Sequence, residues 1–381
     1  MKKKISKLLL SLIIGFTLTQ QMQVYAAEII NNNEAIAINN ELNVSNQDLS
    51  LSDNNLSVSS NGLSVSANDI LIETESSIVI DMHMQPAKRM PVEKVVYDNP
   101  LNPYKTTKAP AQITKQGRFY FITDTFHDQV IYSGSLDTPI KEWNVITSKV
   151  SGPHSVASDG KYYLIADTEN HRVLIFEWER GGFRLTQKFE EMGVRPHYIE
   201  YDKETDTFYV WSSQTCEMYI LAKDNTGTLC IQEIRKIKEL AGHYIRSFAV
   251  SGEYIIFPSG TNKQVLVTDK NTLQILGRVL VPGEISGMAY IKQIGNYFYI
   301  TISSDENYDQ SKATIIRTKD LNGLACGEYE NISSKFPYIK IPYYIDYIQG
   351  AYYMTNHGSH NSVFRFQVVN DEIKYVKPIE Y

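Results

Sequence analysis

Residues 151–178 read SGPHSVASDGKYYLIADTENHRVLIFEW, and this stretch decides the fold because its pattern recurs along the chain. Ser155 to Ser158 forms a run of small residues, Asp159 and Gly160 supply a turn, and Tyr162 to Ala166 is an aromatic and aliphatic strand. Thr168, Glu169 and Asn170 make a second polar turn before Val173 to Phe176. Arg180 to Gly182 turns the chain again, and Phe183 to Phe189 follows as a fourth strand. Strands this short, joined by turns this tight, pair antiparallel with their neighbours. The unit is a four-stranded up-and-down sheet, which cannot bury its own two faces and needs copies of itself to stack on.

The copies are present. PAQITKQGRFYFITDTFHDQVIY from Pro110 places ITDT on the IADT of residues 165–168, and SFAVSGEYIIFPSGTNKQVLV from Ser247 aligns without a gap. Further copies begin at Arg195, Ser286 and Ile345, each with small changes in turn length or strand content. The residues that open the first strand of the six copies are Ala111, His154, His197, Arg246, Ser286 and Tyr344, spaced 40 to 58 residues apart. That is close to the ~40 to 50 residue blade period of β-propellers, with one longer insertion. The expected fold is all-β, a six-bladed β-propeller of four-stranded antiparallel blades over 110–381, preceded by a signal peptide and a polar Ser/Asn-rich spacer. A seventh, degenerate blade built from Ile78 to Tyr97 is the structural alternative.

Proline, a small residue, a strand and then Ala-Asp-Thr-x-Asn-x-Arg-Val resembles the NHL-repeat propeller family. The pattern is nearly complete in Ser151 to Trp178, substantial in the Pro110 copy, and reduced to strand rhythm in the other four.

Upstream of the repeats, residues 1–26 run from Lys2, Lys3, Lys4 and Lys7 through an apolar stretch to Val24-Tyr25-Ala26, the order of a secretory signal cleaved after Ala26. The apolar run is about eleven residues against the ~20 a membrane-spanning helix needs, so no transmembrane anchor is expected. Loss of the four leader lysines takes the net charge from −6 to −10, an acidic balance that argues against nucleic acid as a partner. Residues 27–85 carry a seven-residue repeat with apolar residues two apart, as in Leu56 and Val58 or Leu63 and Val65. This is a spacer, either disordered or a small stack of β-turns. Residues 86–109 form a proline-punctuated linker in which Val92 to Tyr97 could add an edge strand to the last blade. Of the three cysteines, Cys216 and Cys230 could pair within one blade.

The heads of the innermost strands face the central channel of a propeller, so ligand-binding candidates are His154, His197, Arg246 and Tyr344, with His243 three residues before Arg246. Proline-histidine at a strand head, as in Pro153-His154 and Pro196-His197, is similar to the zinc-ligand positions of the peptidyl-hydroxyglycine amidating lyases. That resemblance implies a metal held by His154 and His197, zinc or calcium being the candidates. The lyases draw three histidines from alternate blades, whereas these two come from adjacent ones. His357 and His360, in TNHGSHN, read as turn residues, and Asp124 and Asp167 as carboxylates that lock turns. No Gly-x-Ser-x-Gly, His-Glu-x-x-His or phosphate-binding glycine loop occurs.

Two functions are compatible with these residues. One is an exported, monomeric binding or scaffold module, secreted or cell-surface associated, that takes a protein, peptide or carbohydrate at the channel mouth. The other is an extracellular metal-assisted lyase or hydrolase using the channel histidines. Fold alone does not separate them.

Overall fold

The computed structural model describes residues 58–59, 62–63, 77–80, 85–90, 99–359 and 362–381. The alternating runs of the repeat become six sheets of four consecutive antiparallel strands, the six blades. In the second blade, Val156–Ser158, Tyr162–Asp167, Arg172–Glu179 and Gly182–Phe189 occupy the four strands read from the sequence. The innermost strands of the six blades are Pro110–Gln116, Val156–Ser158, Pro196–Asp202, Ala249–Ser251, Met288–Ile294 and Ile341–Ile348.

The Asp-Thr pair at the end of each well-conserved second strand has a definite physical task. Asp167, fully buried, accepts from the Ser151 backbone N–H (2.7 Å), Asn170 Nδ2 (2.9 Å) and Arg172 Nε (2.6 Å). That accounts for the Asp, Asn and Arg of the repeat pattern together. Asp124 does the same for the backbone N–H groups of Lys108 (2.9 Å) and Ala109 (3.0 Å). The neighbouring threonines reach forward to the next blade: Thr125 Oγ1 donates to the Pro153 carbonyl (2.9 Å) and Thr168 Oγ1 to that of Pro196 (2.8 Å). Each motif thereby fixes the Pro-His head of the blade that follows.

Packing between blades is aromatic and aliphatic. Phe121, Tyr132, Tyr163 and Phe183 meet between the first and second blades, with ring centroids 4.8 to 6.2 Å apart. Trp211, Phe248 and Phe257 do so between the third and fourth, where the buried Trp211 Nε1 donates to the Ile245 carbonyl (2.9 Å). Burying such rings contributes about 1.5 to 3 kcal/mol each, and this outweighs the modest net worth of the hydrogen bonds around them.

The ring closes through the same kind of contact that joins its other members. Thr123 Oγ1 donates to the His154 carbonyl (3.0 Å), Thr301 Oγ1 to that of Tyr343 (2.7 Å), and Thr355 Oγ1 of the sixth blade to that of Ala111 in the first (3.3 Å). Tyr381 completes the seam. Its ring lies 5.8 Å from that of Trp143, and its carbonyl accepts from Thr107 N (2.8 Å) and Thr107 Oγ1 (2.7 Å).

A seventh blade is not formed by the described residues. Ser77–Ile80 and Gln85–Pro86 instead pair with the outer strand of the third blade, and Lys88–Arg89 with that of the second. The compact unit therefore runs from Ser76 to Tyr381, starting upstream of the repeats. An outer strand left unpaired exposes a row of N–H and C=O groups, which these added strands cover. Val92–Tyr97, expected as an edge strand, and residues 1–26 lie outside the described residues. Within residues 1–75, Val58–Ser59 pairs antiparallel with Gly62–Leu63. Cys216 and Cys230 are not paired, because Cys216 stands just ahead of the strand Glu217–Lys223 while Cys230 lies opposite Ala222, near the far end of the same hairpin. The Cys216 thiol donates to the Leu240 carbonyl (2.7 Å) and burial pushes its pKa up to about 12. Among the described residues no helix is long and apolar enough to cross a membrane.

Tyr381→Ala should cost on the order of 3 kcal/mol in denaturant unfolding, since it empties a buried aromatic site at the seam. Tyr375→Ala, at a residue 71% exposed, should leave the midpoint almost unmoved. Equal effects would mean that the seam contributes little to stability.

Candidate functional site

Because the Asp-Thr motifs set the Pro-His heads, the two histidines arrive side by side. The rings of His154 and His197 lie 3.8 Å apart, and His197 is only 2% exposed. His154 stands two residues ahead of its inner strand, His197 is the second residue of its own, and Arg246 stands three residues ahead of Ala249–Ser251. His154, His197, Arg246 and Tyr344 line one small cavity, together with Ala111 from the first blade. Ser286 instead lines a neighbouring cleft, and His243 lines neither, although its carbonyl accepts from the Cys216 thiol (3.3 Å).

Four residues that the aligned strand heads did not single out complete the mouth. The Tyr244 hydroxyl donates to His197 Nε2 (3.0 Å), with the Tyr343 hydroxyl at 3.4 Å from the same nitrogen. The His357 ring stacks on Tyr343 at 4.4 Å, so His357 closes the mouth wall and is not a surface turn residue. It is the last residue of the strand Ala351–His357, and its Nε2–H donates to the Pro110 carbonyl (3.1 Å). Arg195 sits in the left-handed region at φ 64°, a conformation uncommon outside glycine, and its guanidinium carbon lies 5.3 Å from the Tyr244 ring centroid. The guanidinium carbon of Arg246 lies 5.2 Å from the same centroid.

Burial, with the two nearby arginines adding to it, sets the charge state of the imidazoles. Burial, reinforced by His357, Arg195 and Arg246 and opposed by the Gly152 carbonyl, pushes His154 down to about 3. His197 is lowered well below its usual range by burial, then by His154 and the two arginines, and burial takes His357 to about 4. At neutral pH the histidines therefore stay neutral, and the arginines carry the charge. The same environment holds the Tyr343 hydroxyl protonated.

The donor set does not suit a metal. His154 Nδ1–H donates to the Gly152 carbonyl (2.7 Å) and to Thr168 Oγ1 (3.2 Å), while the Nε2 lone pair of His197 is taken by tyrosine hydroxyls. Among the described residues no group of three or more His, Cys, Asp and Glu side chains comes together as a metal site. His360 lies outside them. A tight zinc shell needs about four ligands, and here one imidazole nitrogen is free where two histidines were expected to ligate.

Arg246 has its own incomplete valence. Its guanidinium reaches the Met288 carbonyl at a marginal 3.5 Å, and among the described residues no carboxylate pairs with it. Arg195 Nη2 pairs with Glu169 (2.7 Å), but its buried Nε has no partner. Below the mouth, Tyr198, Tyr290 and Tyr344 pack as a plug, with ring centroids 4.5 to 6.1 Å apart. The Tyr344 expected at the mouth is thus mostly plug, and Tyr343 takes the mouth position. The plug leaves the cavity only about 10 Å³, room for roughly one water molecule. Beyond it the channel carries Glu200, Lys292 and Asp346, with Lys292 Nζ 3.7 Å from Asp346 and Thr114 Oγ1 donating to Asp346 (2.7 Å). Burial raises Glu200 to about 7 and also raises Asp346, while nearby Lys292 opposes both shifts.

These shifts give a pH dependence with a definite sign. Each histidine has a folded pKa below its unfolded value of about 6.5, so the unfolded chain binds more protons as pH falls below that value, and stability is lost. Glu200 acts oppositely, with its contribution lost as pH rises through about 7. The thermal midpoint should peak near pH 6.5 to 7 and fall toward pH 5, and His197→Gln should make the acid-side fall shallower. An unchanged slope would mean that His197 accepts a proton in the folded protein.

No family model matches the chain, and no curated protein matches it. Among solved structures, a protein from Lactobacillus plantarum is similar with a TM-score of 0.52 at 16% identity, covering 71% of this chain and 85% of that one. A catalytically inactive virginiamycin B lyase from Staphylococcus aureus with quinupristin gives 0.50 at 15%, covering 73% and 87%. A Bacteroides uniformis protein provisionally described as a 6-phosphogluconolactonase gives 0.50 at 13%, covering 68% and 80%. At these identities the likeness shows the propeller fold alone.

Proposed function

We propose that this chain is an exported, NHL-repeat-like propeller that acts as a binding module, taking a carboxylate-bearing ligand at the channel mouth. The order of charged, apolar and small residues over 1–26 supports export. The observation that carries the binding reading is the pair of guanidiniums flanking Tyr244, one without a carboxylate and the other with a buried, unpartnered Nε. Gathering two like charges in a half-buried site is unfavourable unless an anion offsets it. A carboxylate would accept charge-assisted hydrogen bonds from Arg246 and leave the neutral histidines undisturbed.

The lyase or hydrolase reading finds less support in the same residues. A general base works best with a pKa near the operating pH, and an imidazole held near 3 is a poor proton acceptor at neutral pH.

A thermal-shift titration with succinate tests the binding reading. Succinate should raise the midpoint of the wild-type protein and have no effect on Arg246→Ala, while the ligand-free midpoint of the variant stays close to that of wild type. Equal shifts in both proteins, or none in either, would contradict it.

A further inference from the structure

The cavity at the channel axis is too small for more than the tip of a ligand, so the body of any ligand held by Arg246 must lie elsewhere. A second opening adjoins it. Arg246 lines both the axial cavity and an off-axis cleft of about 40 Å³ between the fourth and fifth blades, and Tyr244, whose hydroxyl meets His197 at the axis, lines the cleft. Resting on the reading of Arg246 as a carboxylate anchor, we infer that this cleft binds an acidic saccharide, a pyranose ring bearing one carboxylate.

The chemistry of the walls points to that class. Thr261, Ser286 and Ser304 line the cleft and two tyrosines flank it; Thr261 Oγ1 accepts from the Tyr244 N–H (3.1 Å) and can still donate, while the Ser286 hydroxyl donates to the Gly283 carbonyl (2.9 Å) and can still accept. Tyr308 is 72% exposed and held out on a loop at φ 62°, anchored by its own N–H to the Asp305 carbonyl (3.1 Å). Asp305 in turn accepts the N–H groups of Asn307 (2.8 Å) and Asp309 (3.0 Å), which fixes that loop beside the cleft. An exposed aromatic ring is a platform for the apolar face of a flat ligand, and hydroxyl groups that both donate and accept match a polyhydroxylated one.

The charge balance limits the ligand to a single anion at this place. Lys263 is paired with Glu306, and the Asp305 carboxylate accepts from backbone N–H groups of its own loop, leaving Arg246 as the lining cation without a carboxylate partner among the described residues. The close approach that shapes the cleft depends on glycine. A Cβ at Gly287 would lie 2.1 Å from the Ser304 carbonyl oxygen, and one at Gly260 would lie 2.5 Å from that of Ser286.

The test uses the mature chain, isothermal titration, and three probes: glucuronic acid, glucose and succinate. Glucuronic acid should bind more tightly than either glucose or succinate. Tyr308→Ala, a change at an exposed side chain, should weaken glucuronic acid about tenfold and leave succinate unchanged. Arg246→Ala should abolish both acids. If succinate binds as tightly as glucuronic acid and Tyr308→Ala changes neither, the saccharide inference fails while the carboxylate site stands. If neither acid binds the wild-type protein, both fail. A dipeptide with a free C-terminal carboxylate that binds more tightly than glucuronic acid, and loses affinity in Tyr308→Ala, would replace the saccharide by a peptide.

Discussion

Every blade is a sheet with two apolar faces, and neither can be left in water. The ring is the arrangement in which each sheet covers its neighbours, and threonine hydroxyls passed from one blade to the next hold its register. Thr123, Thr301 and Thr355 all donate to carbonyls in or just ahead of the inner strand of the following blade, and the last of these bonds crosses from the sixth blade to the first. Only because the sequence of contacts returns to its start do the inner strands converge on one axis. The site at the mouth is a consequence of that convergence, since His154 and His197 are brought to 3.8 Å by the two Asp-Thr motifs that precede them.

Electrostatics divides the channel into unlike ends. At the mouth, arginines dominate and the imidazoles stay neutral, so the field favours an anion. Past the tyrosine plug, Glu200 and Asp346 share the environment of Lys292, a cluster balanced within the protein itself. Burial acts on both ends but in opposite directions, lowering the histidines and raising the carboxyls. The unpaired charge at the mouth is what distinguishes a site open to a ligand from one already satisfied.

The blade rhythm was legible because strand period and turn residues are local signals, and the alignment of strand heads brought out His154, His197 and Arg246 directly. It did not reveal Tyr343. A register shift between Pro342 and Ile345 moves that residue to the mouth and turns Tyr344 inward, and a bulge leaves no mark on an alternation pattern. Tyr244 and Arg195 lie in connections ahead of the inner strands, where no periodicity identifies a direction. His357 looked like part of a turn because its strand runs three residues into the TNHGSHN segment, to end on His357 itself. The charge state of the histidines was also beyond reach, since it depends on burial and on arginines from other blades. The added strands at Ser77–Ile80 and Lys88–Arg89 are two to four residues long, too short to register as strands beside so many prolines.

The most direct measurement is a crystal structure of the protein soaked with glucuronic acid. The account requires carboxylate oxygens within about 3 Å of the Arg246 guanidinium, with the sugar ring lying toward Tyr308. Ligand density beside Lys292 at the other end of the channel, with none at Arg246, would contradict it.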